Sequence, residues 1–276
     1  MNSILMPNAV GAALVTLCAA AFPVDGHAQS SQPMKDTSVI DPAILKDLAP
    51  TGKLRATINL GNMVLAQGTP DAPRGITVDL SRELARRLGV PVEFTCFDAA
   101  GKAFDAFKAG NLDIIFLAIE PVRANEIAFS EPYVLIEGIY MVPKDSAVKS
   151  NDDIDRAGIR IGVNKGSAYD LFLTRTLKAA TLVRGDDGIQ VFAKDKLDAA
   201  AGVKQPMAIY ADSHPDVRLL DGRFMEIRQA MGVAKGKDAG AAYLRAFVEE
   251  LKGNGFVAEA LKRSNQPDAV VAPVAR

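Results

Sequence analysis

The sequence predicts an α/β fold of two lobes that face each other across a ligand cleft. Three observations predict it. Strand-like and helix-like periods alternate from Thr51 onward. The same order of elements restarts after a charged connector at 145–158. Extended runs lie where the two halves would join.

The elements follow in order. DPAILKDL reads as a short helix, with Asp41 as its cap and Pro42 in its first turn. KLRATINL (53–60) alternates as a strand. TVDLSRELARRLG (77–89) sets Val78, Leu80, Leu84 and Leu88 near one helical face, with Thr77 as cap and Gly89 as stop. VPVEFTCF (90–97) is a strand, GKAFDAFKAGN (101–111) a helix, DIIFLAI (113–119) a buried strand and LIEGIYMVPK (135–144) another. In the second half IRIGVNKG (159–166) is a strand and SAYDLFLTRTLKAA (167–180) a serine-capped helix. TLVRG is a strand, GIQVFAKDKL a helix, DAAAGV and VRLLDG (217–222) strands, and IRQAMGVAKG (227–236) extended. Residues 238–264 form two helices split by Gly253-Asn254-Gly255. The expected organisation is 29–50 as linker, 51–143 with 232–276 as the first lobe, and 144–231 as the second, with hinges near Val142-Pro143-Lys144 and Gly232-Val233.

The beginning of the chain reads separately. VGAALVTLCAAAF (10–22) is a 13-residue apolar run, short for a membrane span. Gly26 and Ala28 occupy the −3 and −1 positions of a cleavage site, so residues 1–28 read as a secretory signal peptide. The segment before the run carries no Lys or Arg, and a retained anchor is the alternative. Leu17 stands before Cys18 where a lipoprotein signal needs a small residue, so Cys18 is not read as lipidated.

Composition excludes several classes. Removing 1–28 takes away Asp25 and no base, leaving 32 basic residues against 32 acidic ones; nucleic acid is therefore not an expected partner. The chain has no Trp and is 6% aromatic, which argues against stacking on bases or sugars. Cys96 would be the only cysteine left and His214 the only histidine. No intrachain disulfide, histidine-based triad or zinc cluster can then form. NLGN (59–62) and GVNKGS (162–167) fall short of phosphate-loop patterns. No cofactor or metal is expected, and nothing demands catalysis.

The most informative stretch is AIEPVRANEIAFSEPY (118–133). Arg123 follows the carboxyl end of a buried strand, where ligands of open α/β sheets bind. Its planar fork suits a carboxylate, and it suits an i, i+3 salt bridge to Glu120 or Glu126 equally well. Gly166-Ser167 follows another strand end, at a helix start whose N–H groups point outward. Phe104 and Phe107 share helical spacing and read as core, with one of them at most facing a cleft.

TGKLRATINLGN, GITVDLSRELARRLGVPVEF, FDAFKAGNLDIIFLAIEPVRANEIAFSEPYV and RIGVNKGSAYDLFL together resemble the family 3 extracellular solute-binding proteins. These are the periplasmic components of ABC importers for amino acids and related small acids. The similarity spans roughly 51–264, and R-x-x-E-I-A-F-S-x-P-Y carries most of it. It implies the two-lobed periplasmic-binding-protein fold, a periplasmic monomer, a small carboxylate ligand and an ABC permease in the inner membrane as partner. Carried across by position, the carboxylate-binding arginine is Arg123 and the main-chain donor after the third strand is Ala118. The donor pair of the second lobe is Gly166 and Ser167, and the stacking aromatic is Phe104.

Two positions depart from the family pattern. Asn62 stands where an aromatic is common. Val203, followed by Lys204, stands where an acid usually holds the ligand's α-ammonium. An ordinary α-amino acid would then bury an unpaired charge, so a carboxylate without an amine, or a dicarboxylate meeting Lys204, becomes the expectation. Asn59, Glu120 or a main-chain carbonyl are the other groups that could hold an ammonium. One rival reading is a dehydratase-like periplasmic enzyme on the same fold, with Glu120 and Lys204 as its candidate groups. Another is a ligand-sensing partner of a membrane receptor.

Overall fold

The computed structural model describes residues 40–266 and 269–275. The proposed signal peptide lies outside them. In chain order the elements are α1 (Pro42–Leu48), β1 (Leu54–Asn59), β2 (Gln67–Thr69), β3 (Ala72–Arg74), α2 (Ile76–Leu88), β4 (Val92–Phe97), α3 (Ala100–Lys108), β5 (Ile115–Ala118), α4 (Pro121–Ala124) and β6 (Ile127–Pro143). There follow β7 (Arg160–Asn164), α5 (Ala168–Thr176), β8 (Thr181–Gly185), α6 (Gly188–Asp195), β9 (Ala199–Val203), α7 (Lys204–Ser213), β10 (Val217–Leu219), β11 (Met225–Ala234), α8 (Asp238–Gly253), α9 (Phe256–Arg263) and β12 (Val270–Val271).

The fold is α/β with two lobes. In the first, β4 pairs with β1 in parallel, and β1 touches the chain just before β5 through an Ala56–Ile114 bridge. The large sheet then runs β5-β11-β6-β9-β7-β8, with β7 parallel to both β8 and β9. β6 belongs to both lobes. It pairs with β11 from Ile127 to Gly138 and with β9 from Gly138 to Met141. The handover therefore falls at Gly138. The hinge positions expected from sequence lie inside paired strands: Val142 faces Arg218, and Gly232 faces both Ile115 and Phe129.

Other differences have local causes. β6 is 17 residues long, eight residues further toward the N-terminus than expected. Pro132 reads as a strand breaker, but it sits opposite Ala230, where the ladder shifts register and the missing N–H costs no regular bond. α7 was not expected. It opens without a side-chain cap, and Pro206 in its first turn replaces an N–H that would have no helical acceptor. α2 is capped by Gly75 rather than Thr77, whose hydroxyl donates to the Leu65 carbonyl inside the first lobe. Gly89 does end α2, in the left-handed conformation that favours glycine.

The first helices of the described residues meet the last ones. Gly240 N donates to Asp47 at 3.0 Å, Arg87 forks onto Glu250, and Arg263 pairs with Asp79. The main core joins Leu48, Leu54, Ile76, Leu80 and Leu84 to Tyr133, Leu244, Phe247 and Leu251.

Candidate functional site

β5 carries four buried apolar residues and ends at Ala118, between β11 and the β1 side of the sheet. Pro121 at the first position of α4 fixes a single helical turn, which folds Arg123 back onto that strand end. Arg123 is 1% exposed. Its Nη1 donates to the Ala118 carbonyl at 3.0 Å, its Nη2 donates to the Gly166 carbonyl at 2.9 Å, and its Nε has no partner. Neither expected salt bridge forms: Glu120 pairs with Arg175 of α5, and Glu126 is exposed. Burial pushes the Arg123 guanidinium down to about 10, and only the nearby charge of Glu120 opposes this. A buried cation held by carbonyls alone has room for an anion.

The opposing wall comes from the turn between β7 and α5. Gly166 is left-handed there, and Ser167 caps α5 by accepting from Asp170 N at 3.1 Å. Asp170 clasps the turn: one carboxylate oxygen accepts from Gly166 N at 2.8 Å and the other from Arg184 at 2.8 Å. The expected donors are therefore already used. Gly166 N is held by Asp170, and Ser167 N donates to the Asn164 carbonyl. The donors left for a ligand are the N–H groups of Ala168 and Tyr169, the first two of the helix, beside a Ser167 hydroxyl shared with the Tyr169 phenol. All three residues line the cavity; Gly166 does not.

The cavity has an empty volume of about 1050 Å³, its solvent-open mouth included. Arg123, Ala118 and Ser167 meet on it. Asn62 also lines it and turns its side-chain oxygen back to Val64 N. Leu60, Met63, Ile189, Met207 and Ile227 give apolar wall. Val203 lines it as well, with no acid at that strand end. Besides Gly166, two more of the expected residues lie off the cavity. Phe104 packs with Phe97, Phe107 and Ile115, with the Lys108 ammonium 4.8 Å from its ring centroid. Lys204 begins α7 and donates to Glu137 at 2.7 Å. Sequence reasoning missed Asp187, whose carboxylate caps α6, and Gln229 of β11. Neither belongs to a motif, and no spacing marks them.

Two glycines close the cleft. A Cβ built on Gly166 would stand 3.0 Å from the Gly101 Cα, and one built on Gly101 would stand 3.4 Å from the Gly166 Cα. α3 and the second lobe thus approach backbone to backbone. Among the described residues there is no group of side chains suited to a metal ion and no helix long and apolar enough to cross a membrane.

The profile of bacterial extracellular solute-binding proteins, family 3, matches residues 63–265. A "Probable histidine-binding protein" of Neisseria gonorrhoeae is 26% identical over 193 residues, covering 66% of this chain and 70% of its own. The cysteine-binding protein of Campylobacter jejuni superposes with a TM-score of 0.69 at 20% identity, over 83% of this chain and 99% of its own. The ancestral amino acid-binding protein AncCDT-1, a precursor of cyclohexadienyl dehydratase, superposes with a TM-score of 0.66 at 22% identity, over 79% and 98%.

Proposed function

Because the chain belongs to the bacterial extracellular solute-binding proteins of family 3, we propose that it captures a small carboxylate-bearing ligand, an amino acid or related organic acid, for an ABC permease. The observation that carries this reading is Arg123: fully buried, hydrogen-bonded by carbonyls and by no carboxylate, and facing a cavity with free helix N–H groups opposite. The ligand carboxylate takes the place of the Gly166 carbonyl on Nη2 or meets the free Nε. Ser167, Ala168 and Tyr169 hold its other oxygen. The lobes close over it by a hinge motion.

The rival reading as an enzyme has less support. Glu120 is tied to Arg175 and Lys204 to Glu137, and neither lines the cavity. The proposal places the mature protein in the periplasm as a monomer beginning at Gln29. Native mass spectrometry of freshly purified protein tests ligand class and processing together. A retained small acid and a chain starting at Gln29 support the reading. A retained neutral or cationic molecule without a carboxylate overturns it, as does conversion of the retained acid.

A further inference from the structure

Gln229 is the least explained polar group on the cavity. It is 6% exposed, it lines the cleft, and its amide makes no hydrogen bond to the protein. Buried amides are almost always paired, so an orphaned one on a cavity wall points to a partner that arrives with the ligand. The ladder places it beside the arginine: Gln229 is the register partner of Ala118, whose carbonyl accepts from Arg123. The register shifts immediately after Gln229, opposite Pro132, and such irregularities re-aim side chains beside binding sites.

The charge around it gives the amide its meaning. Val203 stands at the end of β9, and the Lys204 ammonium is held by Glu137. Asp187 is the second lobe's acid on the cavity. Asp187 follows β8, but the next residue, Gly188, packs on Val163 of β7 and donates its N–H to Asn164, so Asp187 comes in over the end of β7, one strand from β9. Its Oδ1 is engaged with Ile189 N and Gln190 N. On the first lobe, Asp98 pairs with Lys102 at the surface.

We propose that Gln229 reads the substituent on the carbon next to the ligand's carboxylate, and that its neutral amide selects a hydroxyl there, making 2-hydroxy acids the preferred class. This rests on the reading of Arg123 as the carboxylate site. A hydroxyl donates to Oε1 and brings no charge. An ammonium also donates, but it buries a positive charge, and the second lobe's acid on the cavity, Asp187, is already engaged in capping α6. An acid unsubstituted at that carbon leaves the amide orphaned.

The test is calorimetry with isocaproate, its 2-hydroxy derivative and leucine, chosen for the apolar walls, on the wild type, Gln229→Met, Gln229→Glu and Arg123→Ala. The wild type is expected to bind the hydroxy acid about tenfold or more tighter than either other acid, and Gln229→Met to bring it within about twofold of isocaproate. Gln229→Glu is expected to move the preference to leucine. Leucine binding tightest to the wild type overturns the proposal, whether or not the variants fold. An unchanged ratio in Gln229→Met also overturns it; if binding still vanishes in Arg123→Ala, the carboxylate site stands and only the role of Gln229 falls. No binding of any of the three acids to the wild type overturns both.

Discussion

Arg123 and Gly166 are joined across the cleft by a 2.9 Å hydrogen bond from guanidinium to carbonyl. A carbonyl carries only part of the charge that a carboxylate brings, so this bond is one a ligand displaces at a gain. The same contact belongs to a closed arrangement of the lobes.

Arg123→Ala is expected to weaken binding of the carboxylate ligand by about 2–5 kcal/mol, roughly 30-fold to several thousand-fold in affinity. The melting temperature of the free protein should move by only a few degrees, because the change removes a buried charge that forms no salt bridge and has only the nearby Glu120 to offset its burial. Calorimetry and thermal melting check the two halves. Intact affinity with a collapsed melting temperature would make Arg123 a structural residue.

Gly101→Val should prop the lobes apart. Its branched methyl groups would enter the space occupied by Gly166 and the Lys165 carbonyl, which lies 3.3 Å from even a plain Cβ. Overpacking that acts on the closed state alone, at about 1–3 kcal/mol, lowers affinity roughly 5–150-fold. Small-angle scattering should show a larger radius of gyration with ligand present. Unchanged affinity and unchanged dimensions would mean that the liganded cleft closes elsewhere.

Glu120 and Arg175 form a second link across the cleft, one partner buried and the other partly open to solvent. A double-mutant cycle with Glu120→Gln and Arg175→Gln, read as ligand affinity, should give a coupling of about 0.5–1 kcal/mol in favour of the bound state. Zero coupling would mean that the pair is equally formed in open and closed proteins.

Acid should expose a different contact. The hydrogen bond from Arg86, with further help from Arg87, holds the Glu83 carboxyl at about 2, against 4.5 for an ordinary glutamate. A depressed carboxyl pKa adds stability that is complete above pH 4.5 and drains away as the pH falls toward about 2. Glu83→Gln should therefore cost about 1–2 kcal/mol at neutral pH, with the difference from wild type vanishing near pH 2. Denaturant melts at three pH values check this; a gap independent of pH would assign the loss to packing.

The alternation of strand and helix was legible because each element buries one face and shows the period that requires. Arg123 was legible for a similar reason: a lone fork after DIIFLAI stands at a strand end. What pairs with what was not legible. Nothing in SEPY announces that Pro132 lies at a register shift, so β6 was read short. Nothing in YDLF shows that Asp170 takes Gly166 N and so hands the donor role to Ala168 and Tyr169. Phe104 and Lys204 were placed by position in a pattern, yet hydrophobic neighbours hold one and Glu137 the other. Gln229 is a polar residue in an apolar strand, and only its surroundings show that its amide is idle.

The passage of β6 and β11 between the lobes also governs the order in which the molecule can be made. α1 leans on α8, Arg87 on Glu250 and Asp79 on Arg263, so the lobe begun first is finished by the residues synthesised last. A growing chain can complete the strands and helices from β7 to α7 while the earlier lobe still lacks two helices and the β11 strand that fills the gap between β5 and β6. That lobe has to wait, open and unsealed, until residue 263 has emerged. The last fifth of the sequence, from β11 onward, acts as the fastener.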